Sequence, residues 1–198
     1  MALEFNEKLS RLRVPDREKD MTEEEYQAFN QVYENTKKSW GFPHNFTKVL
    51  PLNPKHYLGH LALNKALFDP ENGYISQADK EMIGLVVSSA NGCCYCLTGH
   101  ADFLRGYTGD PVWVDKMTYN YRAAELTKKQ RAICDYAYFV TTRPREIDEF
   151  LVEDLRKAGF NDNEILEIAY VTGYFNYTNR WVSTIEPRLH DGHYSHNR

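Results

Sequence analysis

The sequence predicts an all-α protein, and two observations support this. Helix-start and helix-stop signals recur along the 198 residues, and the two-residue alternation typical of β-strands is not sustained anywhere. A chain of this length can bury roughly 70% of its unfolded surface, so a single domain needs neither a disulfide nor a metal for stability. We therefore expect one helical domain.

Helix starts in the first half of the chain are marked by capping residues or by a proline that a first turn tolerates. They are the TEEE stretch at 22–25, Pro54 in NPKHYLGHLALNKALF, and the SQAD stretch at 76–79 that opens KEMIGLVVSSA. Gly41 and Pro43 are expected to end the first of these helices, and the turn letters PENG follow the second.

The second half of the chain repeats these signals. Helix starts lie at Asp110 with Pro111, at TKKQ (127–130) before RAICDYAYFVTT, and at NDNE (161–164). Helix ends are expected at Pro144, at Gly159 after IDEFLVEDLRKA, and before Pro187. The last helix is predicted to be the longest.

A shift of 85 residues aligns two of these helices, which suggests two pseudo-repeated helical units within the single domain of residues 1–198. The aligned pairs are Ser76 with Asn161, Asp79 with Glu164, Ile83 with Ile168, and Asn91 with Asn176. The predicted parts are an N-terminal helical extension at 1–41, a core at 42–106, a second unit at 110–187 and a mobile tail at 188–198.

Composition excludes several classes of function. A net charge of −4 and a pI near 6.0 give no basis for binding nucleic acid. The longest apolar run, at 82–87, is six residues, whereas a membrane helix needs about 20. The start MALEFNEKLSRLR lacks the apolar core of a secretory signal. We expect a soluble, cytoplasmic protein.

The stretch NGCCYCLTGH, at 91–100, concentrates the reactive side chains. Cys93 and Cys96 form a C-x-x-C pair, and a helix start at this point would stabilise a thiolate. His100 lies four residues after Cys96, on the same helical face, and could accept the thiol proton. Asn91 and Gly92 are expected to cap this helix and Gly106 to end it.

Glu81 lies twelve residues before Cys93, where the sequence becomes wholly apolar. A buried carboxylate needs a partner, and a hydrogen bond to His100 would orient the imidazole and hold its protonated form. The alternative is a solvated carboxylate in the first turn of a helix.

Metal binding is a competing interpretation of the cysteine stretch. Cys93, Cys94, Cys96 and His100 could ligate zinc, but structural zinc sites draw ligand pairs from two separated segments, and the sequence offers no second pair. Cys94 is either a third redox thiol or a small buried residue, and Cys134 is expected in the core. The C-terminal His190, His193 and His196 could bind metal adventitiously.

The spacing E-x11-C-x-Y-C-x3-H, formed by Glu81, Cys93, Tyr95, Cys96 and His100, resembles the core motif of the alkylhydroperoxidase D-like (AhpD-like) proteins in the carboxymuconolactone decarboxylase superfamily. Within this superfamily the chain most resembles the peroxidase-related branch, and the resemblance covers about residues 42–185. The stretches that carry it are VVSSANGCCYCLTGHADFLR, LNPKHYLGHLALNKAL and the later FN-x-x-N-R. The resemblance implies an all-helical fold of two similar halves, assembled into dimers, trimers or hexamers, and a peroxide- or disulfide-reducing activity without metal or haem.

The resemblance also implies residue roles. Cys96 would be the attacking thiolate and Cys93 the resolving thiol, with His100 and Glu81 relaying the proton; a thioredoxin analogy would instead favour Cys93 as the nucleophile. Tyr95 stands where the best-known AhpD proteins have a second relay histidine, and tyrosine is a poor proton shuttle near neutral pH.

We therefore predict a thiol-dependent, alkylhydroperoxidase-like enzyme that needs no cofactor. Its substrate would be a hydroperoxide, and its reductant a dithiol carried by a lipoyl-bearing or thioredoxin-type protein. The alternatives are a disulfide reductase, a redox-sensing binding protein, or a carboxymuconolactone decarboxylase-like enzyme, although that last chemistry would not need the thiol pair.

Overall fold

The computed structural model describes residues 9–42 and 44–198, and these residues form helices joined by turns, with no β-strand within them. The all-α prediction is confirmed. The helices are α1 (Arg17–Asp20), α2 (Glu23–Trp40), α3 (Asn45–Val49), α4 (Pro54–Leu67), α5 (Gln77–Asn91), α6 (Cys94–Thr108), α7 (Pro111–Asn120), α8 (Lys128–Thr142), α9 (Glu149–Ala158), α10 (Asp162–Ile185) and α11 (Gly192–Ser195). Short 3₁₀ turns occur at Leu50–Leu52 and Tyr121–Ala123. The predictions for residues 1–8 and for Pro43 lie outside the described residues.

The predicted capping residues set most helix boundaries. Thr22 and Thr127 each form a full capping box, and Ser76 and Asp110 each accept a backbone N–H of the first turn. Because these side chains satisfy donors that the first turn leaves unpaired, they fix where each helix begins. The start signals were therefore reliable.

The predicted end of α6 at Gly106 is wrong. The helix continues to Thr108, and Gly109 ends it in the left-handed conformation, with a φ of 64°. Gly106 has a different role, since a Cβ there would lie 3.1 Å from the Nδ2 atom of Asn197. The glycine leaves room for Asn197 from the C-terminal segment, and the sequence did not distinguish this use of a glycine from a helix end.

Two compact units divide the chain. One comprises Leu67–Arg180 with Asn197–Arg198. At its centre is α5, which is buried without interruption from Lys80 to Ser88 and packs against α6, α7 and α8. A helix that is apolar on all sides is typical of the centre of a helical core. Residues of α10, including Ile168 and Val171, join the same core.

The buried part of α5 also contains one ion pair. Lys80 is completely buried, and its Nζ lies 2.9 Å from Glu167 Oε1 and 2.7 Å from the Leu67 carbonyl oxygen. The other oxygen of Glu167 accepts the backbone N–H groups of Tyr74 and Ile75. These bonds hold the segment before α5 and so fix where the helix that carries Glu81 begins.

The other unit comprises Met1–Ala66 and Trp181–His196. Aromatic and histidine rings form a cluster within it. The ring of His44 lies 4.2 Å from that of Trp40 and 4.7 Å from that of His193, while Phe42 stacks on His190 at 4.7 Å. The C-terminal histidines thus pack against aromatic rings of their own unit.

The predicted four-part division of the chain, with its mobile tail at 188–198, remains a prediction. Within the tail, His193 is buried, and Arg198 forms two 3.0 Å bonds with Asp115. Asn91 and Asn176, the residues that the 85-residue shift equates, hydrogen-bond to each other. No helix among the described residues is long and apolar enough to cross a membrane.

Protonation of His44 is expected to make the stability of the protein depend on pH. Burial, together with the charges of His193 and His196, lowers the pKa of His44 to about 3. An unfolded histidine titrates near 6.5, so between these values the unfolded chain binds a proton that the folded chain excludes. The contribution of neutral His44 to the free energy of unfolding is fully present above pH 6.5. It is lost as the pH falls below that value, by up to about 1.4 kcal/mol per pH unit.

Urea unfolding of wild type and His44→Phe at pH 7, 6 and 5 measures this contribution. The variant keeps a ring against Trp40 and should lose less stability per pH unit than wild type. His56→Phe, at an exposed position on α4, is the matched control and should keep the wild-type slope. Equal slopes in all three proteins would contradict the assignment.

Candidate active site

The turn between α5 and α6 places the cysteines at a helix N-terminus. Gly92 ends α5 in the left-handed conformation, with a φ of 66°, and Cys93 is the N-cap of α6. The expectation that Asn91 and Gly92 cap α6 is wrong, because Asn91 is the last residue of α5. Cys93 therefore takes the N-cap position and Cys96 the third position of the first turn, where their side chains meet.

The four cysteines are free thiols in different environments. Cys93 is 2% exposed, Cys96 is partly buried and Cys94 is exposed. Cys134 is fully buried in the core, as predicted. Of the two thiols in the C-x-x-C pair, Cys96 is the one that a small molecule from solvent reaches more easily.

The surroundings of Cys96 act on its proton in opposite directions. The hydrogen bond with Cys93 and then burial raise the pKa of the Cys96 thiol, because both favour the protonated form. Hydrogen bonds from Asn179 and from the backbone of Cys96 itself favour the thiolate. The raising effects are larger, so a base must remove the proton before Cys96 can act as a nucleophile.

Glu81, which is buried, and His100, which is partly buried, form a pair across the two helices that flank the thiols. Glu81 on α5 is 6% exposed, and its Oε2 lies 2.7 Å from Nδ1 of His100 on α6. The alternative of a solvated Glu81 is therefore wrong. Because a carboxylate can only accept a hydrogen bond, Nδ1 of His100 carries a hydrogen and donates the hydrogen bond to Glu81. Nε2 is then the ring nitrogen able to accept a proton.

The expected proton relay runs from Cys96 to His100 and Glu81, and the hydrogen bond between His100 and Glu81 provides its second contact. Within the described part of the chain, no hydrogen bond joins His100 to Cys96. A proton leaving Cys96 would reach Nε2 after a side-chain rotation or through a bridging water or substrate. The structure thus brings the four predicted residues to one helix junction.

Two neighbours hold the imidazole in place. A Cβ on Gly84 would lie 2.8 Å from His100 Nδ1 and 2.9 Å from two other ring atoms, so the ring packs on bare backbone of α5. Phe175 on α10 meets the ring edge-to-face, with centroids 4.4 Å apart and an interplanar angle of 73°. Gly84 and Phe175 were not among the predicted site residues.

Asn179 was also missed as a site residue. It is 1% exposed on α10, accepts a hydrogen bond from Asn91 and donates one to Ser88, and it acts to lower the pKa of the Cys96 thiol. The signal was present in FN-x-x-N-R, since an asparagine on an apolar helical face must find polar partners when buried. Nothing in the sequence indicated that those partners lie on α5.

Tyr95 and Cys94 occupy the first turn of α6, with Tyr95 half-buried and Cys94 exposed. Cys94 is therefore not a buried packing residue. Among the residues that the structure describes, no three histidine, cysteine, aspartate or glutamate side chains are grouped to hold a metal ion. The geometry of the cysteine stretch suits proton and thiol chemistry.

Comparisons with known proteins agree with this site. The model of the carboxymuconolactone decarboxylase family matches residues 54–115, which include all five predicted site residues. A peroxidase-related protein from Ralstonia eutropha JMP134, described as an alkylhydroperoxidase AhpD core, has a TM-score of 0.86 and 30% identity, covering 96% of this chain and 97% of the other. A peroxidase-related protein from Silicibacter sp. TM1040 has a TM-score of 0.86 and 31% identity, covering 97% of each chain.

A more distant structure shares the fold alone. The debrominase Bmp8 has a TM-score of 0.74 at 18% identity, covering 96% of each chain. The fold is therefore compatible with more than one chemistry. A comparison with curated proteins finds no match.

Gly84→Ala tests how His100 is held. The added methyl group should push the imidazole away from Glu81, because His100 packs directly on the glycine. ¹⁵N–¹H correlation spectra of the imidazole should show loss of the Nδ1 hydrogen bond. Gly99→Ala is the control, since a Cβ there meets nothing within 4 Å and alanine suits a helix better than glycine. Unchanged imidazole spectra in Gly84→Ala would contradict the packing described.

Proposed function

The chain belongs to the AhpD-like proteins of the carboxymuconolactone decarboxylase superfamily, and we propose that it is a thiol-dependent peroxidase that reduces organic hydroperoxides through Cys93 and Cys96. The observation that carries the proposal is the 2.7 Å contact between buried Glu81 and His100, which lies on the helix whose N-terminus holds the thiol pair. A base held by a buried carboxylate is what a protonated nucleophile requires.

In the first step, His100 Nε2 takes the proton of Cys96, and the Glu81 carboxylate stabilises the imidazolium. The thiolate attacks the terminal oxygen of the hydroperoxide and the O–O bond breaks. The leaving alkoxide takes the proton from His100 and departs as an alcohol, and Cys96 becomes a sulfenic acid. The sulfur loses two electrons, and the peroxide gains them.

In the second step, Cys93 attacks the sulfur of the sulfenic acid. A disulfide forms between Cys93 and Cys96, and the sulfenic oxygen leaves as water. The placement of Cys93 at the N-cap and Cys96 at the third position of α6 supports this step, because a helix start brings these two side chains close together. A dithiol, lipoyl-bearing or of thioredoxin type, would then restore both thiols by exchange.

Accessibility supports Cys96 as the attacking thiol. Cys93 is 2% exposed whereas Cys96 is only partly buried, and a thiol that the peroxide cannot reach does not react with it. Buried Cys93 suits the resolving role.

The proposal has three further parts. The protein is proposed to act in the reducing cytoplasm, which suits a pair of thiols that must be reduced again after each turnover. Its assembly into a dimer, trimer or hexamer remains an expectation from the family. Tyr95 is proposed to donate a hydrogen bond near the thiols, since a tyrosine does not replace a relay histidine near neutral pH.

Counting free thiols before and after addition of one equivalent of cumene hydroperoxide tests the proposal. Of the four free thiols in anaerobically reduced protein, two should disappear within seconds as the Cys93–Cys96 disulfide forms. Cys96→Ser should lose none on this timescale. Cys93→Ser should lose one, as a sulfenic acid that dimedone traps.

Cys94→Ser is the matched control, because it removes the exposed thiol beside the pair. It should still lose two thiols as fast as wild type. If wild type loses thiols no faster than Cys96→Ser, the peroxidase proposal fails, and the thiol pair would be assigned to disulfide exchange with a partner protein.

A further inference from the structure

We propose that a cavity in the unit of Met1–Ala66 and Trp181–His196 is a second binding site, which takes a small aromatic carboxylate. The cavity has a volume of about 190 Å³ and lies between residues 14–21, α2, and α3 with the turn that follows it. The described residues that line it all belong to this unit, whereas the thiols belong to the other unit. The inference is therefore independent of the peroxidase proposal.

The cavity has the size and the walls that suit a single ring. A protein cavity of roughly 150 Å³ lined by apolar side chains takes up benzene, so this one has room for a ring with one small polar group. Tyr26, Phe29 and Tyr33 lie on one face of α2 and form an aromatic wall. Phe29 is 4% exposed and packs on the ring of Tyr57, with centroids 4.9 Å apart. Such walls favour an apolar or aromatic ligand.

The charge of the lining favours an anion. Among the described residues that line the cavity, two are cationic and none is acidic. Arg17 lies over the Tyr26 ring at 4.1 Å and is paired with Glu23, which is not part of the lining. Lys48 Nζ lies 5.4 Å from the centroid of the Tyr33 ring, and no carboxylate of the described residues is within ion-pair distance of it. The chain thus leaves one cation of the cavity without a counter-charge.

Lys48 and Asn30 provide the polar contacts that a carboxylate needs. Lys48 is partly buried, so its ammonium group has lost part of its water, and a ligand of opposite charge would offset that cost. Asn30 is also partly buried, and its side-chain amide forms no hydrogen bond with the described residues, so its N–H groups are available to donate. An aromatic carboxylate satisfies these groups and covers the aromatic wall at the same time.

Titrations followed by ¹H–¹⁵N correlation spectra test the site with three probes. Benzoate combines ring and charge, benzamide has the same shape without the charge, and acetate has the charge without the ring. Benzoate should bind wild type with a Kd of about 1 mM, as expected for so small a ligand, and should shift the amide signals of α2 and α3. Benzamide should bind about 10-fold more weakly, because it cannot form a charge-assisted hydrogen bond with Lys48. Acetate should shift none of these signals.

Two variants and a control locate the binding. Lys48→Met keeps the length of the side chain and removes its charge, so benzoate should bind about 10-fold more weakly and benzamide as in wild type. Asn30→Phe places a ring in the cavity and should weaken both aromatic probes by at least about 10-fold. Lys55→Met, at an exposed position on α4 outside the lining, should keep the wild-type affinities. Circular dichroism establishes that each variant is folded, and Lys48→Met decides the question if Asn30→Phe does not fold.

Three results would overturn the inference. The first is the absence of shifts in α2 and α3 at about 10 mM benzoate, ten times the expected Kd. The second is equal benzoate affinity in wild type and Lys48→Met. The third is a wild type that does not bind benzoate while Asn30→Phe sediments as a smaller species, because a second copy of the chain would then cover the cavity. Cys96→Ser should titrate like wild type, so failure of the peroxidase proposal would leave this result unchanged.

Discussion

The site depends on a carboxylate buried in an apolar helix. Glu81 is enclosed in the continuously buried part of α5, where an unpaired charge would cost several kcal/mol. His100 satisfies it from the neighbouring helix. This one contact requires α5 and α6 to pack closely, fixes the tautomer of the imidazole and leaves its other nitrogen basic. Gly84 is part of the same constraint, because only a residue without a side chain lets the ring approach.

The thiols are placed by the turn that follows α5. Gly92 reverses the chain, and α6 begins at once, so Cys93 and Cys96 lie at a helix start with backbone N–H groups nearby. The neighbouring Cys93 and then burial raise the pKa of the Cys96 thiol, so a base must act before Cys96 becomes a nucleophile. In the proposed reaction, His100 is that base. A debrominase shares this fold at 18% identity, so the fold alone does not specify the chemistry.

Local signals made the fold predictable from the sequence, and contacts between distant segments were the part that was not. Capping residues such as Thr22 and Thr127 act within four residues, so their effect can be read directly. The spacing of the cysteines and His100 on one helix was equally local. The roles of Gly84 and Gly106 could not be predicted, because each leaves room for a side chain from a different segment of the chain. Asn179 lies on α10, and only the folded chain brings it to Ser88 and Asn91 on α5.

The most direct test of the central claim is the rate of peroxide-driven thiol loss in Glu81→Gln compared with wild type. Glutamine fills the same space but cannot stabilise an imidazolium as a carboxylate does. The account predicts a rate lower by a factor of about 10² to 10⁴, the usual range for a general base. It also predicts an unchanged two-thiol end point, because Cys93 and Cys96 are intact. A rate within twofold of wild type, in a folded variant, would contradict the claim that Glu81 and His100 provide the base for Cys96.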